Sequence, residues 1–567
     1  MDFQKLAEVY EELEKISSGN QMREILADFF KKVPEEDLKI VAYLTLGGIA
    51  SEYEAVNLGM AEKSVLKAIA KAGASESAKV LKIMQQKGDA GLAAEEVLHR
   101  KPRTLISVKP LMIQDLFEGL HKIARTTGAG SQEAKSNILV SLLQRTSAKG
   151  AKYVTRIVLG MLRMGVGDMT VLDALALAFT GEKKNKEILE KAYNICPDAG
   201  IIAETLVKKG LAGLEKMEIH VGRPIKMMLA QRVDAWEEIS KKIPEGLAVE
   251  GKYDGERVQA HKSKEKITLF SRRLENITEQ FPDLAEYLIT EIKAKEFILE
   301  AEVIAINEQG KHQPFQLLMQ RRRKHDVAEY VKKIPVQAKV FDLLYLNGAS
   351  LLQESYEKRY EQLGKIIPKS KHLALSDRLV NPELPALKQF FDKMLKEGYE
   401  GIMIKSLSGE YQAGARGWNW IKWKKEYVKE LGDTFDLVIV GAYHGQGRRS
   451  GAYGALLCAA YNQKEDKFET VCKLGTGLTD EALEQLPKQL KKYQLNKKSA
   501  RVEIKKGLEP DFWFEPAVVV EVLAAEVTKS PVHTLGYALR FPRFIRFRED
   551  KNSEQATTKK EIVGMAK

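Results

Sequence analysis

The hydrophobic pattern of this chain changes period twice, and that change limits what it can fold into more than any other feature. Up to about residue 215, apolar side chains recur at spacings of three and four, as in Leu6, Val9, Tyr10, Leu13 and Ile16, which is the stripe of amphipathic helices. Apolar clusters at residues 25–30 and 138–143 continue it, and no tryptophan occurs in this part. From about Pro224 short β-rich runs follow, at 267–270, 297–306, 340–346 and 401–405, with a helical stretch at 387–396 between them. After about Gly432 the runs crowd together, at 435–441, 454–461, 468–474 and 517–527, a spacing that predicts a small antiparallel barrel. A chain of 567 residues exceeds what one hydrophobic core sustains. The expectation is a multidomain protein: all-α over 1–215, α+β over 216–431 and all-β over 432–567.

Charge narrows the partners. A formal net charge of +12 favours a polyanion, with nucleic acid ahead of a membrane surface because neither a polybasic tail nor a run of about 18 apolar residues accompanies it. The three cysteines, Cys196, Cys458 and Cys472, are too few and too scattered for a disulfide framework or a four-cysteine zinc site. With no secretory signal at the N-terminus, the expected place is a reducing cytoplasm.

Glu250-Gly-Lys252-Tyr-Asp254-Gly255-Glu-Arg257 sets one lysine among glycines with acidic and basic groups close by. Only the neutral amine has a lone pair to attack phosphorus, and neighbouring cations or a metal favour that form. A surface turn is the plainer reading of an Asp-Gly pair. In Phe297-Ile-Leu-Glu-Ala-Glu302 two carboxylates at i and i+2 share one strand face. Glu400 and Lys405 bracket a second strand, and two such carboxylates with phosphate oxygens suit Mg²⁺; solvated strand ends are the alternative. Phe341, in Val340-Phe341-Asp342, can stack on a base or simply pack in the core. Lys422 and Lys424 alternate with Ile421 and Trp423 and so share a face, and Arg416 adds a planar fork; the set suits a polyphosphate, or else a basic edge strand.

Taken in order, Lys252-Tyr-Asp-Gly-Glu-Arg257, Ser271-Arg272-Arg-Leu-Glu-Asn-Ile-Thr278, residues 297–305, 340–342 and 400–405, Trp420 to Tyr427 and Arg543-Phe-Ile-Arg-Phe-Arg548-Glu-Asp550-Lys551 resemble the successive motifs of ATP-dependent DNA ligases. The likeness is to the three-domain archaeal and eukaryotic replicative type and covers nearly the whole chain. Thr45-Leu-Gly-Gly-Ile-Ala-Ser-Glu-Tyr53, Lys473-Leu-Gly-Thr-Gly477 and Glu554-Gln-Ala-Thr-Thr558 also resemble that type.

The resemblance implies a helical DNA-binding domain, a nucleotidyltransferase (adenylation) domain and an oligonucleotide-binding (OB) barrel that encircle nicked duplex DNA. It implies that Lys252 attacks the α-phosphate of ATP, that AMP then passes to the 5′-phosphate at the nick, and that the 3′-hydroxyl displaces AMP. Glu250 is then expected to accept from the adenine amino group and Phe341 to stack on the ring. Arg257 and Arg272 would hold phosphates, and Arg416, Lys422 and Lys424 would neutralise phosphate charge. Glu302 would contact ribose or metal and Glu400 would bind metal, Mg²⁺ or Mn²⁺. Arg548, Asp550 and Lys551 resemble the motif that closes over the pyrophosphate.

Capping guanylyltransferases and RNA ligases share the lysine motif, but neither class resembles the first 215 residues. NAD-dependent ligases need a four-cysteine zinc module that three dispersed cysteines cannot supply. A nick-binding scaffold without catalysis has no reason to keep Lys252, Glu302, Glu400, Lys422 and Lys424 together. A monomer is expected. The family's sliding-clamp segment falls near Lys101-Pro-Arg-Thr-Leu-Ile-Ser-Val-Lys109, where its glutamine and aromatics are missing and only Leu105 and Ile106 offer a contact.

Overall fold

A computed structural model describes residues 1–16, 18–99, 109–162, 164–233, 236–322, 327–424, 433–444 and 453–566. Leu105 and Ile106, residues 425–427 and the expected boundary at 431 lie outside them.

The first part is helical from Phe3–Lys15 to Ala199–Glu215. Leu6, Tyr10 and Leu13 are fully buried, while Val9 and Ile16 pack at the margin of the same core. Asp2 caps the opening helix by accepting from the Gln4 amide, satisfying one of its free N–H groups. Apart from Ala500, this core is built from residues 3–214 alone.

Two sheets form the middle part. Their strands are β1 (Leu229–Arg232), β2 (Leu247–Lys252), β3 (Glu256–Ser263), β4 (Lys266–Ser271), β5 (Glu296–Ala305), β6 (Val336–Leu346), β7 (Ala349–Ser350), β8 (Leu373–Leu375), β9 (Arg378–Val380), β10 (Gly401–Ser406) and β11 (Arg416–Lys424). One sheet runs β1-β11-β10-β2-β9; the other runs β4-β3-β5-β6-β7, with β8 against β6. Side-chain alternation gives each sheet an oily face and a polar face. Val249, Ile402, Ile404, Ile421 and Trp423 pack with Leu387, Phe390 and Met394 of helix Leu384–Lys396. In the other sheet Val258, Leu299, Ala301, Val303 and Val340 fill a separate core. The intervening residues of both sheets are left to face a common cavity.

The last part is a curled sheet whose long strands are Asp433–His444, Tyr453–Asn462, Lys467–Leu474 and Val519–Ala524. It is not purely strands, for helix Asp480–Lys491 inserts Leu486 and Leu490 into the barrel core. After the last barrel strand, Arg543–Phe547, the chain ends in a short helix, Lys559–Gly564, with Thr558 and Glu561 forming a capping box. The barrel touches both other parts. The Arg23 guanidinium donates to the Glu465 carbonyl at 3.0 Å, and Arg232 pairs with Asp433 at 2.9 Å.

Candidate active site

Register places the central lysine. Lys252 ends β2 directly opposite Gly401 of β10, and Gly401 stands opposite Lys424 of β11, so three strands bring two lysines to either side of one glycine. Gly401 has φ +147°, and a Cβ there would sit 2.2 Å from the Trp423 carbonyl oxygen. Only glycine fits both constraints. Glu400, one residue earlier, thereby meets Lys252 at 2.5 Å and Lys424 at 2.9 Å. Burial pushes the Glu400 carboxyl up, yet Lys252 and Lys424 hold it well below the usual carboxylate range.

Every site residue expected from the sequence and its resemblance lines one cavity between the two sheets and the barrel. From the first sheet come Glu250 and Lys252, then Arg416, Lys422 and Lys424. From the second come Arg257, Glu302 and Phe341, with Arg272 just past β4, and the barrel's end contributes Arg548, Asp550 and Lys551. The shared face expected for Lys422 with Lys424, and for Glu300 with Glu302, follows from the alternation described above.

Most of the cations already have partners. The Arg257 guanidinium donates to Glu300 at 2.8 Å and to the Met228 carbonyl at 2.7 Å. Arg416 pairs with Glu561 of the terminal helix, and Lys422 lies 3.8 Å from the same carboxylate. Arg548 pairs with Asp436 at 2.8 Å and with Asp550 at 2.7 Å, and Lys551 pairs with Asp436. Burial opposes the Asp436 charge, but Arg548 and Lys551 hold its carboxyl far below normal. Arg272 is anchored through its backbone, whose carbonyl accepts from the Gln555 amide at 2.8 Å. Burial brings its guanidinium down to about 10. Thus the segment expected to close over pyrophosphate already stands in the cavity.

Glu302 differs from these groups, because burial pushes its carboxyl up to about 8 despite Lys252 and Arg257 nearby. A carboxyl raised by desolvation is one that a divalent cation would favour in its charged form. Among the described residues no group of three or more metal-ligating side chains converges. Mg²⁺ commonly uses one or two carboxylates with substrate phosphates, so Glu302 and Glu400, brought to one cavity from the two sheets, fit it.

Phe341 lies edge-on to Trp420 at 6.0 Å between ring centres. Its strand is fixed by the next residue, Asp342, which pairs with Arg359 at 2.8 Å, both fully buried. Three cavity or support residues escape the sequence reading as site groups: Lys405, Asp436 and Glu561. In sequence Lys405 is only a strand end. In the fold it is buried and pairs with Glu250 at 2.9 Å.

Comparison with known proteins agrees along the whole chain. The family described as ATP dependent DNA ligase domain matches residues 227–424, DNA ligase N terminus matches 2–176, and ATP dependent DNA ligase C terminal region matches 449–551. DNA ligase 2 of Thermofilum pendens is 45% identical over 588 residues, spanning 100% of this chain and 97% of its own. DNA ligase 1 of Methanosarcina acetivorans is 42% identical over 576 residues, spanning 99% and 98%. A solved structure of mycobacterial DNA ligase D complexed with ATP and MES is 25% identical and covers 59% of this chain and 97% of that one, with a TM-score of 0.35. No helix among the described residues is long and apolar enough to cross a membrane.

Proposed function

Because the chain belongs to the family of ATP-dependent DNA ligases, enzymes that seal nicks in DNA, we propose that Lys252 carries AMP from ATP to the nick. The observation that carries this reading is the single cavity, in which Lys252 stands at the end of β2 among cations drawn from both sheets and from the barrel. The neutral Lys252 amine attacks the α-phosphorus, a P–N bond forms, and the bond to pyrophosphate breaks on the opposite side. The nick's 5′-phosphate then takes AMP from Lys252, and the 3′-hydroxyl closes the phosphodiester and releases AMP. Such transfers depend on in-line placement and charge neutralisation more than on acid or base strength.

Phe341 gives the base a stacking face and Glu250 accepts from its amino group. Arg257 and Arg272 hold phosphates, while Arg416, Lys422 and Lys424 neutralise them by exchanging their carboxylate partners for phosphate oxygens. Arg548 and Lys551, with Asp550 orienting the guanidinium, face the departing pyrophosphate. Glu302 and Glu400 would hold Mg²⁺ or Mn²⁺, an ion that supplies further neutralisation of phosphate charge. In the same reading the DNA-binding, adenylation and OB parts span 1–215, 216–431 and 432–567. The enzyme acts as a monomer in a reducing cytoplasm, and 101–109 is the place for a sliding-clamp contact.

Incubation with ATP labelled at the α-phosphate tests the nucleophile. Lys252→Ala is expected to take up no label and to seal no ordinary nick, while still binding nicked duplex, since its charge is one among many phosphate contacts. A folded Lys252→Ala protein that acquires label at the wild-type level shows that another residue carries AMP.

A further inference from the structure

Between helix Ala199–Glu215 and β1, residues 216–228 form neither helix nor strand, yet Ile225 and Met228 are fully buried. A buried segment of this kind needs partners for its backbone groups, and β3 supplies them from alternate side chains. The Gly222 amide donates to His261 Nδ1 at 3.0 Å. The Ile225 amide donates to Gln259 Oε1 at 2.8 Å, and the Gln259 side-chain amide donates back to the Ile225 carbonyl at 3.2 Å. The Met228 carbonyl accepts from the Arg257 guanidinium at 2.7 Å. Positions 257, 259 and 261 share one face of β3, so the segment is fastened along that strand and runs antiparallel to it.

The direction of each hydrogen bond is fixed. With Nδ1 accepting from Gly222, the His261 proton sits on Nε2 and is donated to Gln259 Oε1 at 2.9 Å. Burial brings the imidazole down to about 3 and so keeps it neutral. The Gln259 side-chain amide gives its other proton to Glu300 Oε1 at 3.3 Å, and Glu300 Oε2 accepts from Arg257 at 2.8 Å. Gln259 and Glu300 are both fully buried. The Arg257 guanidinium therefore stands between two acceptors, the Met228 carbonyl and Glu300. Gln259 steadies both, one directly and the other through Ile225. Two of the five guanidinium N–H groups are committed in this way. Arg257 Nε has no hydrogen-bond partner among the described residues, and the side chain lines the cavity.

We infer that Gln259 and His261 are positioning residues for the transfer of AMP to Lys252: by tying residues 222–228 to β3, they aim the fork of Arg257 at the phosphates of the nucleotide. The inference rests on the reading of Arg257 as a phosphate-holding residue. A guanidinium meets phosphate through N–H groups in one fixed plane, so turning that plane weakens the grip even though the charge remains. Without the Gln259 amide, Glu300 keeps Arg257 as its one donor, and the Ile225 N–H and C=O are left unpaired in a buried place, which is costly. Carboxylate and segment then shift, and the plane of Arg257 shifts with them. The stretch that leaves the helical part is in this account a piece of the nucleotide site as well as a tether.

The test measures kcat/KM for transfer of labelled AMP from ATP to Lys252 in the full-length chain. Gln259→Met and His261→Leu are each made alone and combined with Arg257→Met. Gln259→Met is expected to lower kcat/KM by about tenfold or more, as misplacement of a reacting partner does. His261→Leu, one link further from Arg257, is expected to lower it less. In the Arg257→Met background each is expected to change it by less than about twofold, because no fork is left to aim. A purely structural role costs the same factor in both backgrounds, and equal factors overturn the proposal. Wild-type kcat/KM in both single variants overturns it as well. His261→Leu carries the same comparison by itself, so the test stands without a folded Gln259→Met protein. Arg257→Met protein that labels Lys252 at the wild-type rate overturns the reading of Arg257 as a phosphate holder, and the proposal with it.

Discussion

Lys422 shows how far the cavity departs from ordinary charge states. Desolvation, against the pull of Glu561 and with Arg416 and Lys424 adding repulsion, brings its ammonium down to about 7. At pH 8 the protein without nucleotide therefore holds Lys422 mostly neutral, while a bound triphosphate favours the charged form and raises its pKa again. ATP binding near pH 8 is expected to take up a proton that Lys422→Met does not. Calorimetry in buffers of different ionisation enthalpy reads this directly; equal proton uptake by both proteins counts against it. The carboxylates make a second prediction at this scale. Glu302→Gln and Glu400→Gln keep size but lose the anion that a hard cation needs. Both are expected to slow adenylylation and sealing and to raise the Mg²⁺ concentration for half-maximal rate, with partial rescue by excess Mg²⁺. Metal titrations matching wild type in both return these residues to a structural role. At this scale the sequence announces the residues but not their partners. Lys252 is legible because glycines and charges crowd around it, whereas Glu250 and Lys405 are 155 positions apart, and nothing local marks two such residues as a pair.

Among elements, the strands of the middle part are the most legible, since period-two alternation states which side chains face together. Lys422 with Lys424 and Glu300 with Glu302 need no fold to be paired. Helix Asp480–Lys491 is harder to read. Leu486 and Leu490 stand at i and i+4, but Pro487 lies inside the helix, and an internal proline reads as a stop. The segment after Arg543–Phe547 carries the prediction proper to this scale. Arg548 and Lys551 face the cavity from the barrel, where growing charge on pyrophosphate calls for cations. Their alanine variants are expected to slow self-adenylylation by about 10²-fold, or about 2.7 kcal/mol. Sealing of a nick that already carries 5′-AMP has no pyrophosphate to release and is expected to slow far less. Equal slowing of both reactions in a folded variant makes the segment a general support. The ion pairs to Asp436 are invisible in sequence, because Asp436 lies 112 and 115 positions from its partners.

At the scale of the molecule, the helical part closes a core of its own, with Ala500 as the outside member. Its removal is therefore expected to leave self-adenylylation nearly intact while weakening nick binding and sealing strongly. The slope of log affinity against log salt should flatten by about 0.9 for each phosphate that the truncated protein no longer neutralises. Unchanged affinity and slope after truncation would give that part another task. The change of period near residue 215 is legible because helices and strands write different repeats. The docking of the barrel on both neighbours is not, since contacts such as Arg23 with Glu465 join surfaces that no periodicity relates. In this closed form Glu400, Glu561, Asp436 and Asp550 stand against the cavity's cations where phosphate oxygens are expected to go. Loading is then an exchange of anions and not the filling of a bare positive hole. An enzyme built this way throws little field from its cavity into solution, so stray polyphosphates and nucleic-acid fragments gain little by entering. The resting site can wait with most of its cations paired, and the molecule that displaces Glu400, Glu561 and Asp436 from them is chosen by shape as well as by sign.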